Sequence, residues 1–236
     1  IRDLSSVLVT VQTSKYRSFV SLPVGMVYDQ KLVVFSLSGW TAFSILQSLV
    51  HDEWARCFGG TNGETPVYTP TDCFETFPFP EGWQEQSPLD AAGRTYYEFR
   101  SDVMIRNNEG LTDTYNRMHN PNESSLDIAR LRDLQMTMDR DVLDAYGWKD
   151  IDAKCEFFPD NPADDEDVSG GVTKSWRYRW PDEVRDEVIA RLMRLNAERA
   201  EAERLAGVPK PDTMKDSPPS VRTKGDPTKG PGLFES

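Results

Sequence analysis

The chain of 236 residues has only three cysteines and two histidines. Cys57, Cys73 and Cys155 are odd in number, widely spaced and form no CxxC pair. With His51 and His119 as the only imidazoles and no CxxC pair, the sequence offers no spacing expected of a structural zinc site, and the cysteines are read as reduced. No apolar run approaches the roughly 20 residues of a membrane span. No basic segment followed by an apolar stretch marks a leader, and no lipidation signal is present. These absences point to a cytoplasmic protein with no membrane partner. Catalytic signatures are missing too: no GxSxG, HExxH, phosphate-binding P-loop or GxGxxG. His51-Asp52-Glu53 are consecutive, so on a helix they point in different directions and do not form a triad. The acidic run at 163–167 resembles a Mg²⁺ site only in composition, and a charge run in a Gly-rich loop is ordinarily solvated. On its own residues the chain is not an enzyme.

What is present begins with charge. The net charge is −12, which argues against a free-standing nucleic-acid binder, since those are usually basic. The imbalance is uneven: residues 1–80 hold 5 Lys/Arg against 7 Asp/Glu, so nearly all the excess acid lies beyond them. The first 80 residues therefore have room for a local cationic groove on an otherwise acidic molecule.

Val7–Thr13, Arg17–Leu22 and Lys31–Leu37 alternate or run apolar with β-branched residues and predict three strands, with Ser14-Lys15-Tyr16 as a short turn. Between Trp40 and Phe58 the period changes to about 3.6, predicting one helix stopped at Gly59-Gly60. Thr61–Pro66 reads as a loop, and Val67–Thr69 and Cys73–Phe77 as short extended pieces. From Ser87 the pattern is helical: 89–107, then a helix capped near Ser124/Ser125 and ending at Gly147, then one starting at Trp180-Pro181-Asp182-Glu183. Residues 159–171 read as an acidic mobile loop, and 207–236, rich in Pro, Gly and Lys, as a disordered tail. The expected fold class is α+β, with a small mixed sheet followed by a mostly helical segment. The expected division is 1–86, 87–206 and 207–236.

Four stretches in order carry a resemblance. "VVFSLSGWTAFSILQSLVHDEWAR" looks like a strand–helix pattern of the form (L/I)xS…H…W. "YTPTDCFETFPFP" is similar to a Y…(N/D)xFxxFPxP signature. "EGLTDTYNRMHNPNESSLDIARLRDLQMTMDRDVLDAYGW" and "RYRWPDEVRDEVIARLMRLNAERAEAE" look like the helical segments that follow it. Together these resemble the C-terminal target-recognition and helical region of Eco57I/MmeI-like adenine-N6 DNA methyltransferases, found in type II restriction–modification and related phage-defence systems. The resemblance runs from about Val7 to Glu203. It implies sequence recognition on double-stranded DNA, performed together with a methyltransferase part of the same protein that would lie before Ile1. The abrupt start at Ile1-Arg2-Asp3 reads as a cut into such a longer protein. The family's (D/N)PP(Y/F) motif is not matched: Asn120-Pro121-Asn122 and Asn161-Pro162-Ala163 lack the second proline and the aromatic. S-adenosyl-L-methionine is therefore expected in the parent enzyme, with no cofactor, metal or catalytic residue in this chain. The alternative is that the helical half docks partner subunits of a defence complex.

A recognition module needs cations and hydroxyls for phosphates and forked polar side chains for base edges. The candidates are Lys15, Tyr16 and Arg17 in the first turn, Arg56 on the helix, Thr61, Asn62 and Glu64 in the loop, and Tyr68, Thr69 and Thr71 after it. Asn62 matches adenine and Glu64 matches the amino group of cytosine. Arg56 is the only Lys or Arg between Trp54 and Pro80, so the electrostatic share of affinity is expected to be small. The Phe77-Pro78-Phe79-Pro80 run is not a PxxP ligand. Its prolines stiffen an extended exit, and Phe74, Phe77 and Phe79 are expected to be core anchors.

Overall fold

The computed structural model describes residues 4–160 and 175–207. The acidic run at 163–167, most of the expected acidic loop and all but the first residue of the expected tail lie outside them.

Three strands, β1 (Ser6–Val11), β2 (Val20–Pro23) and β3 (Leu32–Phe35), form a sheet of order β2-β1-β3. Leu8 pairs with both Ser21 and Phe35, antiparallel on each side. β2 and β3 therefore run parallel to each other, and residues 24–31 carry the chain across the sheet from one end of β1 to the other. This leaves β1 covered on both faces: Val7, Leu8, Val9 and Thr10 are all buried.

The strand expected from Arg17 begins instead at Val20. The short turn expected at 14–16 is an irregular connection over 12–19. Its first residues bond backbone to backbone with Lys31, Pro66 and Tyr68, and its last is satisfied by side chains: Phe19 N donates to Gln47 Oε1 at 2.9 Å, and Arg100 Nη2 donates to Phe19 O at 2.7 Å. Arg100 is itself fully buried and also bonds Gln47 and the Tyr115 hydroxyl, so its charge is matched by acceptors from several segments.

The single helix expected over 40–58 is two, α1 (Trp40–Gln47) and α2 (Leu49–Phe58). Ser48 between them is extended, and its Oγ accepts from His51 N. Asp139 Oδ1 accepts from Leu49 N at 2.8 Å. A serine able to cap the next turn, backed by a buried carboxylate, divides what the apolar period ran together.

After α2 comes a two-stranded hairpin, β4 (Gly60–Asn62) and β5 (Thr65–Val67), where a loop was expected. A short helix, α3 (Pro70–Cys73), follows, with proline in its first turn. Then come α4 (Ser87–Asn107), α5 (Leu111–Met118) and α6 (Leu126–Ala145). A hairpin of β6 (Glu156–Pro159) and β7 (Trp176–Arg179) precedes α7 (Asp182–Leu205). The fold class is α+β, with antiparallel pairing throughout the described strands.

Two apolar clusters hold these elements. One joins Leu8, Phe19 and Phe35 of the sheet region to Phe43, Tyr96, Ile128 and Leu131 of the helices. The other joins Ile45, Trp54 and Leu89 to Val142, Trp180 and Val188. Both draw on residues from each side of position 86, so packing is continuous across that expected boundary. Phe77 is buried and Phe74 and Phe79 are half-buried, in edge contact with one another. The Tyr146 hydroxyl donates to Pro78 O, so the proline-rich run is tied down by α6.

Candidate nucleic-acid interface

The β4–β5 hairpin is an exposed polar element that carries three of the expected recognition residues. Asn62 pairs with Thr65 across a two-residue turn, Gly63-Glu64, and Gly63 has φ +62°. Glycine at the first central position is what the tightest right-twisting hairpin turn requires. All of β4 is exposed, as are Gly63 and Glu64. Pro66 removes a ladder donor, which an edge strand tolerates.

The root of the hairpin is fixed. A Cβ on Gly59 would lie 2.4 Å from Ala55 O and 2.7 Å from Val67 O, so only glycine lets α2 pass that close to β5. Thr13 bridges Val67, and Tyr68 N donates to Gln12 O at 2.7 Å. The hairpin is thus a short, stiff ribbon carrying Thr61, Asn62 and Glu64 into solvent. Thr71 is exposed and Thr69 half-buried just beyond it.

Behind the hairpin the side chains are closed on each other. His51 Nδ1 lies 2.9 Å from Leu46 O, which can only accept, so Nδ1 carries the proton and Nε2 accepts from the Tyr68 hydroxyl at 3.0 Å. Burial lowers the His51 pKa to about 4, and the ring is neutral. The Arg17 guanidinium sits over the Tyr68 ring at 4.7 Å. Burial raises and Arg56, Arg177 and Arg17 lower the Asp52 carboxyl; the arginines win and hold it at about 2. Arg56 Nε meets Asp52 Oδ2 at 2.8 Å, and Arg56 Nη2 donates to Lys15 O. Lys15 Nζ lies 3.3 Å from Asp160 Oδ2, and Arg177 holds Asp160 at 3.1 Å while donating to Lys15 O at 2.8 Å. Tyr16 stacks on His119 at 4.6 Å, and His119 Nδ1 accepts from Tyr178 N. A cavity of about 40 Å³ remains among Tyr16, Gln47, Glu53, His119, Gln135 and Arg177, room for water and little else.

The ten residues singled out from sequence therefore separate. Lys15, Thr61, Asn62, Glu64 and Thr71 are exposed, and Arg56 and Thr69 are half-buried. Tyr16, Arg17 and Tyr68 are buried, which corrects their expected role as surface contacts. The Tyr16 and Tyr68 rings gain by apolar burial, and the Arg17 guanidinium, whose burial costs desolvation, is held over the Tyr68 ring and by Val11 O. Sequence reasoning missed Asp160, Arg177 and His119, which complete the ionic cluster from the distant β6–β7 hairpin and the end of α5. No local pattern marks them, because their partners are far away in the chain.

Among the described residues no group of three or more His, Cys, Asp or Glu is placed to hold a metal, and no helix is long and apolar enough to cross a membrane. No family model matches the chain, and no curated protein does. Among solved structures it is similar to the Type IIL restriction–modification enzyme MmeI in complex with DNA. The match has a TM-score of 0.57 at 16% identity, over 84% of this chain and 22% of that one. The chain thus spans about a fifth of that enzyme's length. The shared property is the fold.

Proposed function

We propose that this chain is the DNA sequence-recognition portion of a site-specific adenine-N6 DNA methyltransferase of a restriction–modification or phage-defence system. The observation that carries the reading is the stiff, exposed β4–β5 ribbon with Asn62 and Glu64 at its end, on a fold shared with a restriction–modification enzyme solved on DNA. A two-stranded ribbon fits the major groove, where an asparagine amide matches the adenine edge and a carboxylate accepts from cytosine N4. Thr61, Thr69 and Thr71 supply hydroxyls for the flanking phosphates and sugars.

In this reading S-adenosyl-L-methionine is not held by this chain. Nucleotide-like cofactors in open α/β folds sit at the carboxyl edge of a parallel, doubly wound sheet, and the described sheets have two or three antiparallel strands. The cofactor and the chemistry belong, in this reading, to a methyltransferase part of the same protein, which is also the chain's first partner after duplex DNA.

The test is an exchange of residues 59–72 between relatives in the full-length enzyme, reading out the methylated sequence. A changed target base supports recognition by the hairpin, and an unchanged sequence overturns it. Because Lys15 and Arg56 are already paired, the isolated chain is expected to bind DNA more weakly than about micromolar at physiological salt.

A further inference from the structure

If the hairpin enters a groove, something at its root must meet the phosphates, and the cations expected there are otherwise engaged. Four Lys or Arg occur among the described residues up to position 86. Arg17 is buried. Arg56 is held by Asp52 and Lys15 by Asp160. The fourth, Lys31, is exposed, and among the described residues no carboxylate pairs with its ammonium.

Its position is built. Lys31 ends the crossover that brings the chain to the hairpin end of β1. Its carbonyl accepts from Gln12 N at 2.7 Å, and Gln12 O in turn accepts from Tyr68 N at 2.7 Å, so one residue separates Lys31 from the hairpin root. Its own N–H is held by Asp29 Oδ1 at 2.8 Å, and Leu32 N bonds Asp29 O, which fixes the backbone while leaving the side chain free. Asp29 is exposed and spends one carboxylate oxygen on that backbone bond.

The dimensions agree. A ribbon of three residues per arm and a two-residue turn projects on the order of 10 Å, and the major groove is about 8.5 Å deep. With the tip at the base edges, the root lies level with the phosphates.

We infer that Lys31 is the phosphate anchor of the hairpin, contacting the DNA backbone beside the groove that Asn62 and Glu64 enter. This rests on the recognition reading above. The experiment titrates the chain with labelled duplexes of several sequences from low to physiological salt. Lys31→Ala, Lys31→Arg and Asn62→Ala are compared with Lys149→Ala, an exposed lysine in the other half of the chain. Loss of one phosphate contact lowers the slope of log K against log salt by about 0.9, so Lys31→Ala should weaken all duplexes alike, several-fold at low salt, with that drop in slope. Lys31→Arg should restore both, and Lys149→Ala should change neither. If Lys31→Ala keeps the wild-type slope while Asn62→Ala alters sequence preference, Lys31 is not the anchor and the recognition reading stands. If the wild-type chain binds no duplex at low salt, both fail.

Discussion

Every residue of β4 and of the turn at Gly63-Glu64 is exposed, whereas Tyr68, one residue past β5, has no accessible surface. On one side of that step the side chains have no partners inside the protein; on the other most polar groups are answered, His51 by Leu46 and Tyr68, Arg56 by Asp52 and Lys15, while Arg17 Nε and Asp52 Oδ1 are buried without a partner. The closed side ties together separate stretches of the chain. His51 and Tyr68, from two separate motifs, bond each other, and Trp54 Nε1 donates to Thr76 in the second motif. The closed side therefore holds the ribbon, and the exposed residues are the ones left to read DNA in the proposed function.

The largest effect should come from opening the closed side. His51→Ala removes both hydrogen bonds of the ring and its edge contact with Phe77 at 4.9 Å. A buried truncation that also strands polar partners costs about 2–4 kcal/mol, a fall in Tm of roughly 5–15 °C for a chain this long, readable by circular dichroism. A Tm unchanged by His51→Ala would erase the contrast. Gly59→Ala comes next. The new methyl meets two carbonyl oxygens that belong to backbone, so overpacking should cost about 1–3 kcal/mol, with proteolysis at the hairpin reporting the loosened root.

A pH dependence follows from the same buried groups. Burial raises the Asp139 carboxyl to about 7, against hydrogen bonds from Leu49 N and Gln135 that favour its ionised form. A carboxyl raised on folding binds its proton more tightly in the native state, so its contribution is complete below its unfolded value and is lost as pH rises through about 7. His51 has the opposite sign. Depressed to about 4, it contributes fully above its unfolded value and loses that contribution as pH falls. Between these limits the two oppose each other. Asp139→Asn removes one of them, so urea midpoints of the variant should gain relative to wild type as pH rises from 5 to 8. A constant difference between the two proteins would show that Asp139 titrates alike in both states.

The sequence made the helices legible where period and punctuation agreed, as in α4 and α6, whose ends fall at Asn108 in the left-handed region and near Gly147. It failed where a side chain from far along the chain decides the backbone. Ser48 breaks the first helix with help from Asp139, and Phe19 leaves the ladder for Gln47 and Arg100. The hairpin itself was written in Gly63, a glycine at the first position of a two-residue turn, a signal outweighed by the loop-like composition around it. For the site, hydroxyl and amide candidates in the exposed ribbon were readable from composition. The fate of the cations was not, since Asp160 and Arg177 lie more than a hundred residues from Lys15 and Arg56.

The smallest effect on stability should come from the exposed side, and there it should coincide with the largest effect on specificity. Asn62 and Glu64 bury nothing and pair with nothing through their side chains among the described residues, so Asn62→Ala and Glu64→Ala should shift stability by less than about 0.5 kcal/mol. A bidentate contact to a base edge discriminates by about 1–3 kcal/mol, so in the full-length enzyme each change should relax selection at one base position and leave the others intact. The pairing also orders the outcomes: Asn62→Ala should loosen an adenine position and Glu64→Ala a cytosine position. Sequencing the methylated sites of each variant checks this directly. If both variants keep the parental sequence while His51→Ala alters it at equal stability, base reading lies with the closed side, and the division of labour between the two sides is reversed.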